Sequence, residues 1–159
     1  MNFSDWFREQ LHVGGEGFAW SAEQVPEARR YVQPPRGLGE WPVARHVFHM
    51  LYYEQTIALP SMHQWLGGII PIIEDSDEDV AWANNKESIE TLLAQFRNIR
   101  AEQISLLPKF ENYAWNETRR AVWGPVTLLW VVSKTFQHTA EHTNDVMQMR
   151  LWWDGFLTG

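Results

Sequence analysis

Between about Asn85 and Leu107, apolar Ile89, Leu92, Leu93, Phe96, Ile99 and Ile104 recur at three-to-four spacing, the repeat of one face of an α-helix. Pro108 stops the pattern. Other segments share its length and spacing. One begins at Ser4 or Asp5, either of which suits an N-cap, and ends near Gln24. A second runs from Glu40 to about Leu66, with Pro42 in its first turn and a kink expected at Pro60, and Gly67 and Gly68 end it. The last begins just after Gly124 and reaches about Trp153. No stretch alternates apolar and polar residues for long enough to argue a strand. The expected class is all-α, a four-helix bundle forming a single domain over residues 1–159.

The connections are less regular. Ile69 to Ala83, with Glu74, Asp75, Asp77, Glu78 and Asp79, reads as a solvated acidic loop: it has the Asp-x-Asp-x-Asp opening of a calcium loop, but Val80 and Lys86 stand where glycine and glutamate are needed. Gly14, Gly15 and Gly17 follow no strand, so a helix kink or a close helix contact explains them better than a phosphate loop.

Composition narrows the function. With 13 Lys and Arg against 20 Asp and Glu, the net charge of −7 leaves no surface suited to neutralising phosphates, so nucleic acid is excluded as a partner. Absence of cysteine removes disulfides, thiolate metal sites and a cysteine nucleophile, so any thiol chemistry must use a thiol from outside. Apolar runs such as Val126 to Val132 stop far short of the roughly 20 residues of a membrane span, and the expectation is a cytoplasmic protein without membrane contact.

The chemistry concentrates in histidines. His138 and His142 lie four residues apart in the last helix, about 40° from one another around the axis, so their imidazoles can converge on one ion. The second helix offers His46 and His49 as a further ligand. On a helical wheel, the apolar arc of Val43, Val47, Met50, Leu51 and Ile57 lies about 60° closer to His46 than to His49. Glu54 falls inside that arc, where a carboxylate must be paired, bound to a metal-ligating imidazole, or protonated. Glu141 and Asp145 lie within about 60° of His138 as further polar neighbours. A zincin is excluded because Thr139 stands where its glutamate would be, and Glu9-x-x-His12 supplies just one of the two elements of a di-iron bundle.

Trp41, His49, Met50 and Glu54, followed by His138 and His142 in the last long helix, resemble the pattern of the DinB/YfiT-like metal-dependent proteins. The resemblance covers nearly the whole chain in helix order. It departs after His142, where Thr143, Asn144 and Asp145 replace the Arg-Gly-Gln of many members. It implies a divalent metal on His49, His138 and His142, with His46, Glu54, Glu141 and Asp145 as pocket residues or supports behind the ligands. Zinc is the first choice, with nickel or iron as alternatives. The implied activity is a transferase using a low-molecular-weight thiol of the bacillithiol or mycothiol type on a small-molecule substrate, or a related metal-assisted hydrolase. The alternative is a non-catalytic metal-binding or dimerisation module. Ten Trp, among them Trp6, Trp20, Trp152 and Trp153 near helix ends, exceed the needs of one core and lead us to expect a homodimer.

Overall fold

In the computed structural model, which describes residues 2–70, 72 and 77–155, Asn2 rather than Ser4 or Asp5 caps the first helix. Its side chain accepts the Ser4 N–H at 3.0 Å, and α1 runs unbroken over Phe3–Gln24. The glycines do not kink it. At Gly15 an added Cβ would stand 3.2 Å from Arg100 Cγ, so the missing side chain permits a close helix contact.

The long second helix is built in pieces. α2 spans Val43–Tyr53, a π-helical turn spans Glu54–Ala58, α3 spans Leu59–His63, and a 3-10 turn ends at Leu66 before Gly67, which takes φ +91°. The distortion expected at Pro60 occurs in the turn before it. A proline ring clashes with the carbonyl four residues back, here that of Thr56, and the wider turn relieves this by letting the Leu59 N–H reach the Glu54 carbonyl.

Two expectations are corrected downstream. The acidic stretch is not all loop: Asp77–Asn84 forms α4, with Asp77, Glu78 and Asp79 in the first turn, where carboxylates suit the positive end of the helix dipole. Glu74 and Asp75 lie outside the described residues. α5 spans Ile89–Leu106, with Ser88 accepting the Thr91 N–H at 3.2 Å. Next comes a short antiparallel hairpin, β1 (Thr118–Ala121) and β2 (Gly124–Thr127), turning at Val122 and Trp123. Strands this short show no alternation to read. Thr127 then caps α6 (Leu128–Trp152) by accepting the Trp130 N–H at 3.1 Å.

The fold is a four-helix bundle of α1, α2 with its extension, α5 and α6. α1 and α2 each pack on both α5 and α6, so α1 lies largely across the bundle from α2, and α5 from α6. The interior divides into two apolar clusters. One holds Phe18, Val47, Met50, Leu93, Phe96 and Met149; the other holds Phe7, Leu11, Met62, Leu107, Trp115 and Val132. On the extension of α2, on α5 and on α6, buried polar residues separate them. The Glu54 carboxylate, wholly buried, takes a fork of hydrogen bonds from Arg100, from Nε at 3.0 Å and from Nη2. Arg100 also donates to the Leu11 carbonyl at 3.0 Å and to Thr139 Oγ1 at 2.8 Å, and Thr139 donates onward to the Thr135 carbonyl at 2.9 Å. Arg100 and Gln103 therefore take interior positions, whereas Ile99 and Ile104 are half-buried.

A buried charge left without its partner is strongly destabilising, whereas removing both partners is far cheaper. Arg100→Met is expected to cost about 3–5 kcal/mol in urea unfolding, and adding Glu54→Met should restore much of that loss. A double variant no more stable than the single one would overturn the pairing as the source of the effect.

Candidate metal centre

α2 and α6 lie side by side just above the buried ion pair, and each turns two histidines toward the other. His138 and His142 occupy successive turns of α6; His46 and His49 are three residues apart on α2. His49 Nε2 lies 3.0 Å from His138 Nε2, and His142 Nε2 lies 3.2 Å from the same atom. One nitrogen of each of His49, His138 and His142 falls within 4.8 Å of the other two. Adjacent ligands about 2.1 Å from a zinc-sized ion stand roughly 3.0–3.4 Å apart, so the spacing of these nitrogens fits a shared cation.

The wheel and the spacing each picked out a real member of the cluster. His46, 5% exposed, is the more deeply set, and its Nδ1 lies 2.8 Å from Nδ1 of His142. His49 sits nearer the edge and turns its Nε2 toward His138. The carboxylate behind His49 is one that sequence reasoning assigned to solvent: Glu78 of α4 accepts the Nδ1–H, with both carboxylate oxygens at 2.9 Å. Arg45 holds Glu78 in place at 2.9 Å and also reaches Asp79 at 2.8 Å, while its guanidinium packs 4.9 Å from the Trp41 ring and 5.4 Å from Trp82. The signal that could have found Glu78 was the helix-forming run Val80-Ala81-Trp82-Ala83 directly after an acidic first turn.

Trp41 covers the cluster. Its ring is parallel to that of His142 at 6.2 Å and lies 5.0 Å from His49 and 5.5 Å from His46. On the other side, Tyr53 packs 4.2 Å from His138, and the Tyr53 hydroxyl and His138 Nδ1 are buried with no hydrogen-bond partner among the described residues.

The remaining expected neighbours divide. Glu54 is spent on Arg100, a correction to its reading as a support behind an imidazole, because five residues after His49 it faces about 140° away around the helix. Glu141 is exposed and accepts from Gln137 at 2.8 Å. Asp145 stands 4.0 Å from His142 Nδ1. It also lines a cleft of about 320 Å³ together with Trp41, His46, His142, Gln148 and the Gly37–Glu40 turn, which Gly37 and Gly39 bend at φ +101° and +100°.

Burial and mutual repulsion keep His46, His138 and His142 neutral. Burial foremost, with repulsion from His142 and His49, lowers His138 to about 3 and His46 likewise to about 3. Burial and His49 lower His142 to about 4, against an opposing pull from Glu78. Burial and the nearby Glu141 raise Asp145 above the ordinary aspartate value.

Comparison with known proteins follows the same lines. The family model of the DinB superfamily matches residues 10–146. The chain belongs to the DinB superfamily. Among solved structures, YfiT from Bacillus subtilis, described as a probable metal-dependent hydrolase with an unusual four-helix bundle topology, superposes with a TM-score of 0.75 at 17% identity, covering 94% of this chain and 88% of that one. A mycothiol-dependent maleylpyruvate isomerase gives a TM-score of 0.71 and its histidine-to-alanine variant 0.72, each at 15% identity and covering 90% of this chain. This DinB chain spans 60% of the isomerase's own length. None of the curated protein sequences matches it significantly.

The lowered imidazole values make stability depend on pH in one direction. Below the ordinary histidine value of 6.5, the unfolded chain binds protons that the folded site refuses, so folding weakens as pH falls from 6.5 toward about 3. The melting temperature of chelator-treated protein should decline below about pH 6.5. A flat profile down to about pH 5 would overturn the neutral, buried cluster.

Proposed function

We propose that this DinB-superfamily chain is a metal-dependent enzyme in which His49, His138 and His142 hold one divalent ion, zinc first, with nickel or iron as alternatives. Its activity is the transfer of a low-molecular-weight thiol of the bacillithiol or mycothiol type to a small electrophilic substrate. Hydrolysis by the same centre is the near variant. The observation that carries this reading is the convergence of three imidazole nitrogens, with Glu78 fixing the ring of His49 from behind. A divalent ion bound there supplies a Lewis acid that lowers the pKa of a thiol or water ligand.

The chain's own residues prepare that chemistry. Glu78 accepts the Nδ1–H of His49 and so leaves the Nε2 lone pair turned to the cluster, as carboxylates do behind metal-ligating imidazoles. The contact between His46 and His142 fixes the second ring in the same way. Trp41 screens three of the four rings from bulk water, and the cleft beside His142 gives a small molecule its approach. With no cysteine in the chain, the thiol must be a second substrate.

A purely structural site would be closed by a fourth protein ligand. Among the described residues no further histidine or carboxylate joins the group of His49, His138 and His142, which favours the catalytic reading over a metal staple between α2 and α6. Metal analysis of purified protein, then conjugation of bacillithiol, mycothiol and free cysteine to a fluorogenic electrophile with and without chelator, tests it. At least one ion per chain is expected, with activity lost on chelation and restored by metal. Glu78→Ala should weaken metal affinity about 10–100-fold. Full conjugation after chelation would overturn the proposal, and ester hydrolysis without thiol would select the hydrolase variant.

We further infer that the chain forms homodimers through α1. Trp6, Val13 and Trp20 recur every seven residues and remain 38%, 57% and 53% exposed, an apolar stripe along one side of the helix. Trp152 is also exposed, but Trp153, expected to protrude, is buried in the core under Arg29, whose guanidinium lies 5.4 Å from the ring. Light scattering at micromolar concentration should give a dimer mass that falls to monomer in Trp20→Glu. A monomer mass for the unaltered chain would remove the claim.

A further inference from the structure

His142 faces two ways. Its Nε2 lies 3.2 Å from His138 Nε2, whereas its Nδ1, on the opposite edge of the ring, lies 2.8 Å from His46 Nδ1 and 4.0 Å from Asp145 Oδ2. One donor atom each of His46, His142 and Asp145 falls within 4.8 Å of the others, a second convergence that shares a single residue with the first. We propose that His46, His142 through Nδ1, and Asp145 form a second cation position beside the first, opening into the cleft and taking a divalent ion of the iron-to-zinc series; with both positions filled, His142 gives up its ring N–H proton to solvent and bridges the two ions as an imidazolate.

Three observations support this. The donor set is two imidazoles and a carboxylate, a combination that binds first-row divalent ions on one face and leaves the other positions open. All three residues line the cleft of about 320 Å³, with Glu40 on the same wall, so an ion there would have both access and room for an exogenous ligand. The carboxylate is also uncommitted: no Arg or Lys lies within ion-pair distance of Asp145 among the described residues, whereas Glu54, Glu78 and Asp154 each have an arginine partner. Preorganisation comes from His46, which is held by Trp41 at 5.5 Å and is 5% exposed. Asp145, with its side chain 48% exposed, stands 4.0 Å from His142 Nδ1 on the open side of the pair.

The simpler alternative is that His46 serves only as hydrogen-bond partner to the His142 ring, with Asp145 idle in the cleft wall. The two differ in the number of ions bound. In its two-ion form the inference rests on the metal triad proposed above, and the experiment separates the failure of one from the failure of the other.

The test is equilibrium dialysis of the full chain against cobalt(II), and separately zinc(II), to saturation, with metal analysis and the visible cobalt spectrum as readouts. Variants are Asp145→Ala, at a half-exposed position where misfolding is not expected, His46→Gln and His49→Ala. The expected result is two ions per chain, one in Asp145→Ala and in His46→Gln, and one in His49→Ala with an altered spectrum. A single ion that survives Asp145→Ala and His46→Gln but is lost in His49→Ala overturns the second position and leaves the triad standing. A single ion lost in Asp145→Ala but kept in His49→Ala supports the second position and overturns the triad. No bound ion overturns both.

Discussion

The buried pairing of Arg100 with Glu54 is the constraint around which this bundle is arranged. A guanidinium and a carboxylate with almost no exposure are tolerated inside a protein only when every donor and acceptor finds a partner. Here the arginine fork, the Leu11 carbonyl and Thr139 satisfy one another, and the layer they form ties α1, the π turn after α2, α5 and α6 together at one level. Its consequences reach into each helix. Gly15 lets Arg100 pass close to α1, since an added Cβ would stand 3.2 Å from its Cγ, and Thr139, between His138 and His142, accepts from the arginine because that turn of α6 faces it. Glu54, five residues after His49 and so about 140° from it around the helix, meets the arginine rather than the histidines.

The histidine cluster sits immediately beside this layer, and its geometry inherits the layer's rigidity. His138 and Thr139 are neighbours on α6, so the ring that centres the cluster is fixed through the same turn that receives Arg100. From the outer side a second set of charges completes the arrangement: Glu78 and the exposed Asp79 pair with Arg45, whose guanidinium packs against Trp41 and Trp82. The centre is thus held from inside by a buried ion pair and from outside by a short helix whose first turn carries the supporting carboxylate.

Set beside the solved structures it resembles, the chain retains the bundle. YfiT and the mycothiol-dependent isomerase share its fold at 17% and 15% identity, a level at which packing is preserved while site chemistry is free to vary. Asp145, which the sequence reading places where the resemblance has the end of an Arg-Gly-Gln run, stands in the cleft wall after the last histidine. A carboxylate in that place changes the charge met by anything entering beside His142.

Much of the fold was legible in the sequence because it depends on period. The three-to-four spacing of Ile89, Leu92, Leu93 and Phe96 marks a helix whatever surrounds it, and so does the length of α6. The histidine pair was legible for the same reason, since residues four apart share a helix face by geometry alone. What tertiary structure decided were the relations between elements distant in the chain. Arg100 could not be told from a surface arginine until α1 and α2 closed over it, and Ile99 and Ile104 gave way to it because the interior was reserved for a charge pair. Glu78 became a support for His49 across 29 residues only when α4 folded back onto α2. Whether His46 or His49 faced α6 could not be settled by the wheel, because both do, at different depths. Hydrophobic period fixes which face turns inward, whereas the pairing of charges and imidazoles is fixed by which helix lies opposite, a distance that one-dimensional spacing does not contain.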